Sequence, residues 1–141
     1  MTSTDVGTVP LIDTIDERTV SDLALGATLL GTGGGGDPRI GALMAQAAIR
    51  EHGSVRVIPP EAVGDDGVVV PVAMIGAPTV ILERIPGGHE LDLAMDAFEQ
   101  LQQQPVIATM PIEAGGINST IPLVLAARRG LPRGVQECPG P

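Results

Sequence analysis

Two stretches of helical periodicity are joined by Gly31-Thr32-Gly33-Gly34-Gly35-Gly36-Asp37-Pro38. Four consecutive glycines are entropically costly to order, so a compact chain keeps them where backbone must take positive φ or press against something that leaves no room for a Cβ. Two readings follow: a tight hairpin between packed helices, or a cradle of N–H groups around a ligand, which needs alternating left- and right-handed residues. Asp37 before Pro38 has the form of an N-cap and a first-turn proline, so the next helix starts there.

The flanking periodicity is clear. Thr19 and Asp22 have capping-box spacing, and Val20, Leu23, Ala24, Ala27 and Leu30 repeat at helical intervals up to about Leu30. Ile40, Leu43, Met44, Ala47 and Ala48 form a second apolar stripe, closed by Gly53 as a C-cap. Residues 1–15 show no period and read as a loose lead-in.

After this helical pair the pattern changes. Val55 to Ile58 is short and β-branched and stops at Pro59-Pro60, and Asp65-Asp66-Gly67 is a turn. Val68 to Ile75 is almost wholly apolar, as expected of a strand buried on both faces of a parallel sheet. Thr79 to Ile85 suits either a strand, by its β-branched residues, or a helical turn opened by Pro78. Leu91, Ala94, Met95, Phe98 and Leu101 mark a helix with Glu90 and Asp92 in its first turn. Val106 to Ile112 reads as another buried strand. A glycine turn, Glu113 to Asn118, then leads to a helix capped by Asn118 or Thr120 and ended by Gly130 and Pro132. Strand, turn and helix in alternation predict an α/β fold with a mostly parallel sheet and helices packed on it.

Composition narrows the function. The net charge of −9 and pI near 4.4 leave no basic surface for a nucleic acid. None of the eight basic residues is lysine, which removes a Walker-type phosphate loop and any Schiff-base mechanism from this chain. Gly31 to Gly36 matches the dinucleotide fingerprint only as text, because a helix rather than a strand precedes it. The lone Cys138 allows neither a disulfide framework nor a cysteine zinc site within one chain and fits a reducing cytoplasm. The acidic N-terminus lacks the form of a secretory signal, and Val68 to Leu82, broken by Pro71, Gly76 and Pro78, is too short to span a membrane. No metal site is motivated. Phe98 is the sole aromatic, so the core must be built of Ala, Val, Leu, Ile and Met.

In open α/β sheets ligands bind beyond the carboxyl ends of the strands. Two turns occupy that position, Gly76-Ala77-Pro78-Thr79 and Glu113-Ala114-Gly115-Gly116-Ile117-Asn118, and small residues there could expose helix N-terminal N–H groups. The expected site for a small polar molecule takes Glu113 and Asn118 as candidate catalytic residues. Its candidate ligand-binding residues are Gly33, Gly34, Gly35, Gly36, Asp37, Gly76, Thr79, Glu83, Gly115 and Gly116. Each has a structural alternative: Asp37 and Asn118 as helix caps, Glu113 as a carboxylate bonded to nearby backbone, and the glycine run as a hairpin. His52 and His89 read as solvated or capping residues, and Arg128-Arg129 as a complement to a helix dipole.

Three segments carry a family resemblance: Ala24 to Ala27 continuing through Leu30 to Pro38, Met74-Ile75-Gly76-Ala77-Pro78-Thr79-Val80, and Glu113-Ala114-Gly115-Gly116-Ile117-Asn118-Ser119. In order and spacing they resemble the N-terminal domain of the S-methyl-thiohydantoin desulfurase family, associated with hydantoin utilisation, over residues 16–132. The resemblance implies a site for a small hydantoin-like cyclic amide or thioamide, in which Glu113 and Asn118 polarise or deprotonate the ring and glycine N–H groups receive developing charge. It equally admits a non-catalytic module contacting another copy or a hydantoinase subunit. Family members continue into an apolar strand and a β-rich second domain, whereas residues 133–141 read as a non-family tail. The expectation is therefore a chain truncated before that domain, inactive if the missing part is required.

Overall fold

The computed structural model describes residues 12–76, 80, 83 and 88–134. A five-stranded sheet has the order β1-β2-β5-β4-β3, formed by Thr14–Ile15 (β1), Val55–Ile58 (β2), Val68–Val72 (β3), Val106–Pro111 (β4) and Arg133–Gly134 (β5). Only β1 is antiparallel, pairing Thr14 with Arg56 and Ile15 with Val55; the remaining pairs are parallel. The helices are α1 (Thr19–Gly31), α2 (Pro38–His52), α3 (Glu90–Gln102) and α4 (Ile121–Arg129). Two successive β-α-β units, β3-α3-β4 and β4-α4-β5, give the α/β architecture its parallel half.

Local chemistry sets the helix ends. The Asp37 carboxylate accepts from the Arg39 N–H at 2.8 Å and Pro38 occupies the first turn, while Gly53, at φ 105°, donates to the Ile49 carbonyl. The start of α1 differs from the capping box expected of Thr19 and Asp22. Asp16 takes that role, accepting from the backbone N–H groups of Arg18 at 2.9 Å and Thr19 at 2.8 Å. Those bonds, led by the Thr19 N–H, hold its carboxyl below the usual range.

Helix α4 is buried from Ile121 to Ala127 and links two apolar clusters. Leu123, Val124, Ala126 and Ala127 pack with Val20, Ala45, Ile49 and Val55, while Ile121 and Leu125 pack with Val72, Met95 and Val106. The core is aliphatic, as composition required. Arg128 and Arg129 do more than complement the dipole of α4. Arg128 reaches Asp92 at 2.9 Å, and Arg129 reaches Asp92 at 3.2 Å and Asp96 at 2.6 Å, fastening α4 to α3.

Three sequence expectations change. The lead-in is not wholly loose, since Thr14 and Ile15 pair with β2 and Ile15 is buried. Strand β3 is not buried on both faces: it forms the sheet edge, Val68 to Val70 are half-buried, Pro71 is exposed, and the strand stops at Val72. An edge tolerates Pro71 because one side of the strand needs no N–H donor. The segment read as a tail contributes Arg133 and Gly134 to the centre of the sheet, between β2 and β4. Of Thr79 to Ile85, Val80 and Glu83 are helical and exposed, and the rest lies outside the described residues.

Arg133 is an uncomfortable occupant of that central strand. Its Nε is sealed from solvent without a hydrogen-bond partner among the described residues, and Nη2 reaches only the Ser119 carbonyl, at 3.5 Å. Burial pushes its pKa below the ordinary value. Replacing it by Val, which suits a strand between Val57 and Thr109, is expected to raise stability by about 1–3 kcal/mol. The readout is a higher urea midpoint at unchanged slope; an unchanged or lower midpoint would show that the guanidinium is compensated.

Candidate functional site

The carboxyl ends of β3 and β4 lie side by side because the strands are parallel neighbours, with Val72 opposite Pro111. Beyond these ends Ala73 to Gly76 peels away from the edge, and Ile112 to Gly115 leads into a 3-10 turn, Gly116–Ser119. A cavity of about 440 Å³ opens between the two segments, and Gly35 and Gly36 of the glycine run close one side of it. Its walls are mainly apolar, from Met74, Ile75, Val80, Ile112 and Ile117. Polar function is concentrated in Glu113 and Asn118.

Asn118 is buried and ties the two strand ends together. Its Oδ1 accepts from the Met74 N–H at 2.8 Å, and its Nδ2 donates to Glu113 Oε1 at 2.9 Å and to the Met74 carbonyl at 3.5 Å. An N–H on one side and a carboxylate on the other leave one sensible orientation for the amide. Asn118 is therefore not the cap of α4; that position falls to Thr120, whose hydroxyl instead donates to the Ile117 carbonyl at 2.9 Å. Glu113 is exposed rather than buried beyond its strand, so solvent shares its charge and one carboxylate oxygen is held toward Asn118.

The glycine run resolves as a hairpin whose backbone also serves as a wall. The Gly35 carbonyl accepts from the Ile117 N–H at 2.8 Å. A Cβ on Gly115 would stand 2.7 Å from the Gly31 Cα, and one on Gly116 would stand 2.2 Å from the Gly35 oxygen. Glycine thus faces glycine, backbone against backbone. The Ile117 N–H is consumed by this contact, so it is not the free helix N-terminal donor expected from sequence.

The other candidates divide by place. Gly35, Gly36, Gly76, Glu113 and Asn118 share the cavity. Gly34 and Gly115 line an adjoining recess of about 320 Å³ that also reaches Glu113. Gly116 lines neither space and acts through its contact with Gly35, while an added Cβ on Gly33 would meet nothing within 4 Å. Asp37 caps α2 and borders a separate groove between α1 and α2. Glu83 is exposed and outside the cavity lining, and Thr79 lies outside the described residues. Sequence reasoning missed the apolar walls, Met74, Ile112 and Ile117. Their signal was adjacency to the two turns.

Among the described residues no group of three His, Cys, Asp or Glu side chains is placed to hold a metal ion. No helix among them is long and apolar enough to cross a membrane.

The fold is similar to that of a solved protein from Chromobacterium violaceum, with a TM-score of 0.71 and 25% sequence identity. The similarity covers 87% of this chain and 34% of the other, so the chain spans about a third of that protein's length. No curated protein matches the sequence. The description S-Me-THD-like, N-terminal domain, matches residues 18–133, which takes in both β-α-β units, the glycine hairpin and the cavity. On that match the chain belongs to the S-Me-THD-like family, of which it carries the N-terminal domain.

Proposed function

We propose that the cavity beyond β3 and β4 binds a small, uncharged cyclic amide or thioamide of the hydantoin type. The observation that carries this reading is one carboxylate, Glu113, oriented by a buried amide at the edge of an otherwise apolar cavity of about 440 Å³. A flat ring with an acidic N–H matches that arrangement: the N–H donates to Glu113, and the ring faces lie against Met74, Ile112 and Ile117. Such pockets bind through apolar walls and orient through few polar groups. The family to which the chain belongs supports the same class of ligand.

In this reading Glu113 is the acceptor and, if chemistry follows, the base that takes the ring proton. Asn118 is a positioning residue. Its amide is occupied by Met74 and Glu113, so it acts on the ligand by holding the carboxylate and the Met74 segment in place. That full commitment also favours a second reading, a module that binds the ring without transforming it.

Calorimetric titration with hydantoin and an S-methylated thiohydantoin tests the proposal. Binding is expected at one site per chain, and Glu113→Gln is expected to weaken it about 10- to 100-fold through loss of a charge-assisted hydrogen bond. Equal affinity in the variant, or no heat from either ring, would overturn it. Bound ring recovered unchanged would select the second reading.

A further inference from the structure

We infer that the outer face of the α1–α2 hairpin is a self-association surface, on which a second copy of this chain docks about a two-fold axis. The two helices run antiparallel, fastened at one end by Gln46 Nε2 donating to Ser21 Oγ at 3.0 Å and by the Arg50–Glu17 pair. A groove of about 740 Å³ runs between them. Leu25, 73% exposed, and Leu43, 67% exposed, line it, and Leu29, 78% exposed, follows Leu25 one helical turn along α1. Leu25 and Leu29 are four residues apart and share one face of α1, while Leu43 stands on the facing flank of α2. Gly26, beside Leu25, has nothing within 4 Å of an added Cβ, leaving room for another helix to approach closely.

The charges at the two ends of this apolar strip identify the occupant. Asp22 precedes Leu25 by one helical turn, and Arg39 precedes Leu43 by one turn on α2. Antiparallel helices put these residues at opposite ends of the strip, and neither side chain has a hydrogen bond or ion pair among the described residues. An acidic partner would satisfy only Arg39 and a basic one only Asp22. A second copy rotated by a two-fold through the Leu25 region brings Asp22 of each to Arg39 of the other and interleaves the leucines, the self-complementary pattern of an isologous contact. Burying the strip also removes three largely exposed leucines from water.

Sedimentation equilibrium over a concentration series, with circular dichroism as the folding control, tests this. The wild-type chain is expected to form a dimer, and Leu29→Glu, at a side chain 78% exposed, is expected to remain folded and become monomeric. Asp22→Arg is expected to weaken the dimer about tenfold through two like-charge contacts per dimer, and adding Arg39→Asp is expected to restore it. A wild-type monomer at every concentration would overturn the proposal. So would a dimer indifferent to Leu29→Glu, or a charge reversal that the second substitution fails to rescue.

Discussion

Gly116→Ala is expected to lower stability by roughly 2–5 kcal/mol, combining overpacking with the cost of a Cβ in the left-handed region. Gly116 has φ 60°, and the added methyl would stand 2.2 Å from the Gly35 oxygen and 2.7 Å from its Cα. Backbone cannot rotate aside as a side chain can. The Gly35 carbonyl is held by the Ile117 N–H, so relief of the clash must break that bond or push the hairpin away from the turn. Either movement displaces Gly35 and Gly36, which wall the cavity, and ring binding should be lost together with stability. The control is Gly33→Ala. Its φ of 91° carries the backbone strain, but its Cβ meets nothing, so its cost is expected near 1–2 kcal/mol with the cavity intact. Urea denaturation of both variants separates contact from strain, and equal losses would show that the glycine-to-glycine packing contributes nothing.

This contrast shows why the glycine run was only half legible in the sequence. Four glycines announce close approach or positive φ, but the partner they approach, the turn at Gly115 and Gly116, is distant along the chain. Helix α2 could be read at both ends because Asp37, Pro38 and Gly53 act within one turn of themselves. The start of α1 was misplaced for the same local reason. Thr19 and Asp22 have the right spacing, yet Asp16 lies closer to the unpaired N–H groups and takes them. A run of valines reads alike at the edge or the centre of a sheet, so the edge position of β3 depends on strand order, which is a tertiary property. The turns beyond β3 and β4 were visible as small residues after apolar runs, and among the described residues the sheet brings Gly76 of the first to the same cavity as Glu113 and Asn118 of the second. What joins them, the bond between Asn118 and Met74 across 44 residues, depends on the register of β3 against β4 and leaves no mark in either segment.

Asn118→Asp isolates that junction with almost no change of shape. One carboxylate oxygen can still accept from the Met74 N–H, but the other replaces a donor that now faces Glu113 Oε1 at 2.9 Å and the Met74 carbonyl at 3.5 Å. Two acceptors would then oppose each other where an amide once bridged them. At neutral pH the variant is expected to lose about 2–3 kcal/mol, from a missing hydrogen bond and a like-charge contact at a residue 7% exposed. Protonating one carboxyl restores a donor between the oxygens, so the pair's proton affinity is raised in the folded state above its unfolded value. By linkage, the added stability is fully present below the unfolded carboxyl pKa and is lost as pH rises through the raised folded pKa. The variant should therefore approach the wild type near pH 4 and fall away from it toward pH 7, the opposite of the acid sensitivity expected at Asp16, whose carboxyl is lowered. Denaturation midpoints of both proteins across that range measure the difference, and a gap independent of pH would mean that Glu113 and residue 118 do not share the proton. Because Glu113 is the proposed ligand acceptor, ring affinity should fall at low pH: the bridging proton that rescues the fold lies on the Oε1 side already turned toward residue 118, but it neutralises the charge that strengthens the bond from the ring to the other carboxylate oxygen.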